Sequence, residues 1–353
     1  MSLVGGLVVE RAYYHCRRCR AGHCPRDGRL RLAADGLTPG AREAASLAGL
    51  LTGFAEAAAK VLPKLAGLRL AESTVERATE AAGAGLGARL RAGEAFGPAR
   101  DWAWPADAAG RRCAYLSVDA TGVGMQGPGG AAAEGRMAYV GLVFAPDPGG
   151  GPARSRAQAG LGGLADLGER MRRQGAQVGM DRADCWVALT DGGAGLEDFI
   201  GVHFPRAECV LDFYHAAEHL SGLAKALYPD EARAGEAAGA WCHTLKDEGG
   251  AALLAALEAL DLRGRKGAAR EAHRREVGYV RNNLHRMDYP RYRAHGWLIG
   301  SGHVEAACKA VVGQRLKGGG MRWSEAGADA VCHLRALFKS EQGQWDAFWA
   351  TDA

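Results

Sequence analysis

The 353-residue chain has no continuous apolar run of about 18 residues, which leaves no candidate for a membrane-spanning helix. Its opening, MSLVGGLVVERAYY, has no basic segment leading into a small-residue cleavage site, so no secretory leader is expected. A formal charge of +4 is too small for composition alone to signal a nucleic-acid partner. An even disulfide framework is also missing. Nine cysteines, at 16, 19, 24, 113, 185, 209, 242, 308 and 332, are an odd and scattered set that argues for reduced thiols. Of these, Cys113, Cys185, Cys209 and Cys332 lie in apolar runs and read as small core residues. The zinc-hydrolase order H-E-x-x-H does not occur: His215 and His219 are one turn apart, but Glu218 adjoins the second histidine and faces elsewhere.

What remains is a chain 48% hydrophobic and 24% charged, long enough for two or three domains, expected to be soluble and cytoplasmic. Its charge is concentrated. Val280 to Trp323 carries eight Arg or Lys, namely Arg281, Arg286, Arg291, Arg293, Lys309, Arg315, Lys317 and Arg322, against Asp288 and Glu305 alone. A carboxylate in such a field is costly to leave idle. Glu305 follows a Gly-Ser-Gly turn and opens a helical pattern. Two readings stand at this point: a ligand-binding carboxylate among phosphate-binding cations, or an ordinary Glu305–Lys309 helix pair on a solvated face.

At the other end, YYHCRRCRAGHC puts Cys16 and Cys19 in a CxxC knuckle with His23 and Cys24 behind and His15 as a further donor. The spacing suits a structural Zn²⁺, although adjacent His23 and Cys24 are awkward ligands for one ion, and a metal-free knuckle fits as well. Residues 36–100 are alanine- and leucine-rich. Pro39 and Pro63 mark helix starts and Ser73 is read as a cap. The stretch LPKLAGLRLAESTVERATEAAG has helix-turn-helix spacing, with Val75 inward and Arg77 outward, and a compact helical bundle has the same period. Gly83 to Ala109, with Trp102 and Trp104, reads as a junction outside the core.

From 101 onward strand patterns appear. RCAYLSV ends at Asp119 and a small-residue turn, Ala-Thr-Gly-Val-Gly. QGPGGAAAE reads as a hairpin loop into the strand MAYVGLVFA, and 146–156 as a flexible loop before a helix ending near Gly175. ADCWVALT then ends at Asp191-Gly-Gly, repeating the pattern of strand, aspartate and small residues. AECVLDF places Asp212 at a third strand end, and about 221–280 reads as an all-helical insertion. Strand ends of an α/β sheet share a crevice. Asp119, Asp191 and Glu305 therefore form a candidate set for Mg²⁺ or Mn²⁺, which favour oxygen ligands. Two such ions, about 4 Å apart, would support phosphodiester chemistry.

The strings RNNLHRMDYPRYRAHGWLIGSGHVEAACKAVVGQRLKGGGMRWS, LDFYHAAEHL and VDATGVGMQG resemble bacterial insertion-sequence transposases of the Kra group, a DDE class related to Mutator-like enzymes. The resemblance covers nearly the whole chain. It implies an RNase H-like catalytic domain over 101–353, with its helical insertion, after a Cys-rich knuckle (1–35) and a helical DNA-binding domain (36–100). It implies catalytic Asp119, Asp191 and Glu305 on Mg²⁺ or Mn²⁺ and accessory Asp212 and His215; the structural Zn²⁺ on Cys16, Cys19 and Cys24 rests on their spacing alone. The implied activity is cleavage and transfer of double-stranded DNA at element ends by a homo-oligomer. A DNA-binding protein without catalysis and an RNase H-like nuclease are the competing readings. Three positions depart from the family pattern: Ala120 and Arg20 stand where glycine is usual, and Gly318-Gly319 replace a polar pair.

Overall fold

The computed structural model describes residues 1–32, 35–147, 154–193, 195–341 and 343–352. At the N-terminus β1 (Tyr14–His15) and β2 (Gly22–His23) pair antiparallel around the CxxC turn. Arg20 closes that turn at φ 57°, the left-handed region that glycine occupies without steric cost, so the departure at this position falls on a real conformational demand.

Helix Pro39–Leu51 begins at its proline, which supplies a helical φ where no N–H is needed. A short π-helical segment, Ala57–Val61, leads into Leu62–Leu65, and the long helix Glu72–Arg91 follows. Its N-cap is Ala71, so the expected Ser73 cap is corrected by two residues. Val75 is buried and Arg77 exposed, as their spacing suggested. Most buried apolar residues of 37–78 pack among themselves, whereas Leu50, Ala82, Leu86 and Leu90 join the main core. There Gly83 lies against Ala330 of helix Glu325–Lys339, and a Cβ on it would come within 2.2 Å of that residue's carbonyl oxygen.

The central sheet contains β3 (Cys113–Gln126), β4 (Ala132–Ala145), β5 (Arg154–Gly160), β6 (Cys185–Thr190) and β7 (Ala207–Leu211) in the order β5-β4-β3-β6-β7. β3, β4 and β5 are antiparallel, while β6 and β7 run parallel to β3. Side chains alternate between two cores, as a period of two requires. Cys113, Tyr115, Val187 and Leu189 face the C-terminal helices and the helical insertion. Ala114, Leu116, Val118 and Ala188 face helices Leu164–Gln177 and Leu196–His203.

Several sequence expectations are corrected here. Residues 120–124 are strand rather than turn, because the hairpin partner β4 holds them in the ladder despite their glycines. Of the loop expected over 146–156, 148–153 lie outside the described residues and 154–156 belong to β5. Trp102 and Trp104 are buried in the second core instead of lying in a junction. Cys113 and Cys185 are joined by a disulfide across neighbouring strands, so not every thiol is reduced.

The insertion is helical through Phe213–Leu227, Glu231–Glu248, Gly250–Glu258, Gly267–Asn283 and Tyr289–Ala294. Among the described residues no helix is long and apolar enough to cross a membrane.

Candidate functional site

The parallel pairing of β3 with β6 keeps one register from Cys113↔Cys185 to Val118↔Thr190. Asp119 and Asp191 each follow the last rung, at the same 72-residue offset as the disulfide. β6 ends there because Asp191 Oδ1 accepts the Gly193 N–H at 2.9 Å and turns the chain. Gly192 must be small: a Cβ would come within 2.7 Å of the Tyr279 ring. β3 does not end. It continues against β4 alone, pairing Asp119 with Val140, so Asp119 sits where the sheet splits.

Asp212, at the end of β7, is 1% exposed and caps helix Phe213–Leu227. One oxygen accepts the Tyr214 and His215 amides at 2.6 and 3.2 Å. The other accepts the Ser301 amide at 2.8 Å and the Ser301 hydroxyl. Four donors occupy most of its lone-pair capacity. Asp212 therefore fastens the end of the sheet to the start of helix Gly302–Ala307, which carries Glu305. Gly300 lies beside Tyr214, whose ring would be 2.7 Å from a Cβ there.

Asp119, Asp191, Asp212, His215, Glu218, Ser301 and Glu305 line one pocket of about 200 Å³. Burial raises the Asp119 carboxyl above its usual range and the Asp191 charge adds to this, while the Ala120 amide (2.6 Å), the Cys308 thiol (3.5 Å) and His215 pull it back. Burial, then Asp119, pushes the Cys308 thiol up, so it stays protonated and donates to Asp119. Glu305 is exposed, with the Ser301 hydroxyl oxygen 3.4 Å from its carboxylate. Ser301 and Cys308 were missed by sequence reasoning. The Gly-Ser-Gly turn was a signal for the first; nothing local marked the second.

Sharing a pocket is not the same as converging on an ion. Among the described residues, the only group of three His, Cys, Asp or Glu residues whose ligand atoms all lie within 4.8 Å of one another is Asp107, Cys113 and Cys185. This candidate metal cluster combines one carboxylate with two sulfurs, which is not the three-acid set of a DDE enzyme. Comparison with known protein families finds no family model that matches the chain, and comparison with curated proteins finds no match. The resemblance to Kra-group transposases is corrected accordingly, and with it the DDE enzyme activity and the strand cleavage and transfer it implied. The resemblance rested on sequence strings, and their acidic residues do not form the converged set that the chemistry requires.

The Asp-Cys-Cys cluster is engaged as it stands. Its sulfurs are bonded to each other. The Asp107 carboxylate accepts the Ala109 and Arg111 amides at 2.9 Å and pairs with the Arg111 guanidinium at 2.8 Å. Burial disfavours its charge, but these Arg111 and Ala109 contacts outweigh burial and hold its carboxyl below the usual range.

Of the knuckle ligands, Cys16 and Cys19 are exposed and Cys24 precedes helix Pro25–Leu30. Cys16, Cys19 and Cys24 do not form a converged group of three. The amide and thiol of Cys19, with the Arg18 amide, lower the Cys16 thiol below its ordinary value.

The eight basic residues divide. Arg286 is buried, donating to Asn283 and to Thr190 Oγ1 (3.1 Å), and Arg315 is buried between the Phe54 and Trp323 rings while donating to the Gly49 carbonyl at 2.7 Å. Both side chains are buried and bonded within the chain rather than open to solvent. Arg281 pairs with Glu258, Arg291 with Asp288 and Glu208, and Arg293 with Asp247. Lys309, Lys317 and Arg322 are exposed, with Lys317 donating to Thr121 Oγ1.

Proposed function

We propose that the chain is a nucleic-acid-binding protein of RNase H-like architecture whose acidic pocket takes one hydrated Mg²⁺ or Mn²⁺. Two antiparallel strands on one side of β3 and two parallel strands on the other support the architecture. The observation that carries the cation is the gathering of Asp119, Asp191 and Glu305 in one pocket, with Asp119 already raised by burial and by Asp191. Carboxylates that share a pocket without converging suit an ion that keeps its waters, which Mg²⁺ does readily. Bound there, the ion supplies positive charge that offsets carboxylate repulsion.

Double-stranded DNA is the partner this charge pattern favours. Phosphates are repelled by an acidic pocket alone. A cation in it, with exposed Lys309, Lys317 and Arg322 on the elements around Glu305, reverses the local sign. The test is fluorescence anisotropy of a labelled duplex against salt, with and without Mg²⁺. Replacing Lys309, Lys317 and Arg322 with Ala is expected to flatten the log–log salt slope by roughly 0.9 per lost phosphate contact. An unchanged slope would remove the DNA reading.

A second reading concerns the reduced chain. The close approach of Asp107, Cys113 and Cys185 favours Zn²⁺ there. Their two thiols would serve as ligands once the disulfide opens, and Asp107 would have to leave Arg111. Thermal shift with Zn²⁺, before and after treatment with a dithiol, decides it.

A further inference from the structure

A second cavity, of about 420 Å³, lies at the opposite end of the parallel strands, beside Trp186 near the start of β6. Its size falls within the range of small-molecule sites, about 300–1,000 Å³. The Arg206 guanidinium lies 4.6 Å from the centroid of the Trp186 ring and donates to the Ala183 carbonyl at 3.3 Å, which holds it in place. The indole N–H is already used by the Met180 carbonyl at 2.9 Å, so Trp186 offers ring surface only.

His203 and Arg173 complete the same wall. His203 is seated on Gly168, where a Cβ would come within 2.4 Å of the imidazole, and its buried Nδ1 has no hydrogen-bond partner. Arg173 Nε is likewise buried without a partner. Both atoms are closed to solvent, so they belong to the wall itself rather than to its open surface. Glu169 lies 3.8 and 4.0 Å from Arg172 and Arg173 and Asp181 is a second carboxylate in the lining, so with Arg206 the cavity has three cations against two acids.

We infer that this cavity binds a mononucleotide. The base packs against the Arg206–Trp186 pair, where a planar cation and an indole suit an aromatic ring. The phosphate meets the exposed Arg172, which lines the same cavity. The site is separate from the acidic pocket and stands whether or not a cation binds there. A free nucleotide and the phosphorylated end of a single strand share this chemistry.

Isothermal titration of the full chain with adenosine 5′-monophosphate tests it, with adenosine and inorganic phosphate titrated alongside. One saturable site is expected, about tenfold tighter for the nucleotide than for either part, with Arg206→Ala and Arg172→Ala each weakening it about tenfold. Both side chains are at the surface, so unchanged thermal unfolding of the two variants is expected and separates loss of binding from loss of fold. No saturable binding, equal binding of phosphate alone, or undiminished affinity in both variants would overturn the assignment. Competition by 5′-phosphorylated tetrathymidylate assigns the ligand to a strand end; nucleotide binding without such competition assigns it to the free molecule.

Discussion

Two groups of candidate metal ligands stand in contrast. At one end of the β3–β6 pair, Asp107, Cys113 and Cys185 bring three ligand atoms within 4.8 Å of one another, yet every one is committed to another bond. At the other end, Asp119, Asp191 and Glu305 share a pocket without that convergence and face open space with oxygens still available. Proximity and availability are separate requirements for binding an ion. The first group meets the former and the second the latter. The same strand register creates both, since one 72-residue offset aligns the cysteines and then, beyond the last rung, the aspartates.

The largest test of this contrast is the disulfide. It closes a loop with a sequence separation of 72 residues, and loop-closure entropy puts its contribution at about 4 kcal/mol. Urea unfolding of Cys113→Ser/Cys185→Ser should show a loss of that order, and Zn²⁺ should stabilise only the reduced wild type. Equal stability with and without the bond would mean the group is a bystander. Next comes the clamp between the two ends of the acidic pocket. Asp212→Ala strands the Ser301, Tyr214 and His215 donors, and a loss of about 3 kcal/mol is expected from chemical denaturation.

A third variant lies outside both groups and calibrates the pH scale. Burial raises the Asp329 carboxyl, but the close His333 imidazole (3.2 Å), the Leu161 amide and Arg170 outweigh it and bring it down to about 2. A depressed carboxyl contributes stability above its unfolded value near 4, and that contribution fades as pH falls toward 2. Asp329→Asn should cost about 2 kcal/mol at neutral pH and nearly nothing near pH 2, read from paired thermal melts.

The smallest effect has the opposite sign. Asp119 is raised, so its contribution is favourable below the unfolded value and is lost as pH rises through the folded one. Asp119→Asn should therefore stabilise the metal-free protein at neutral pH, by well under about 1 kcal/mol, and the gain should vanish when Mg²⁺ is added. Cation binding to the wild type should weaken as acid protonates Asp119.

How far the sequence revealed all this depended on the range of the interaction. Local rules located β6 and its terminal Asp191-Gly-Gly, because an apolar run followed by an Asx turn is written in consecutive residues. The Thr121–Gly124 stretch was misread because its glycines look like a turn until β4 pairs with them. The disulfide was invisible for a related reason: register across parallel strands is set by distant packing, so two apolar-flanked cysteines gave no hint of facing each other. Arg286 and Arg315 looked like surface charge, since nothing nearby announces the carbonyl and aromatic partners that bury them. Composition located the acidic residues; only the fold shows that they share space without converging.

The most direct test of the central claim is calorimetric titration of Mn²⁺ into the oxidised chain at neutral pH. One ion should bind per chain, with affinity strongly reduced in both Asp119→Asn and Asp191→Asn and unchanged in Cys113→Ser/Cys185→Ser. Mn²⁺ binding that survives both aspartate variants, or that disappears with the cysteines, would contradict the account.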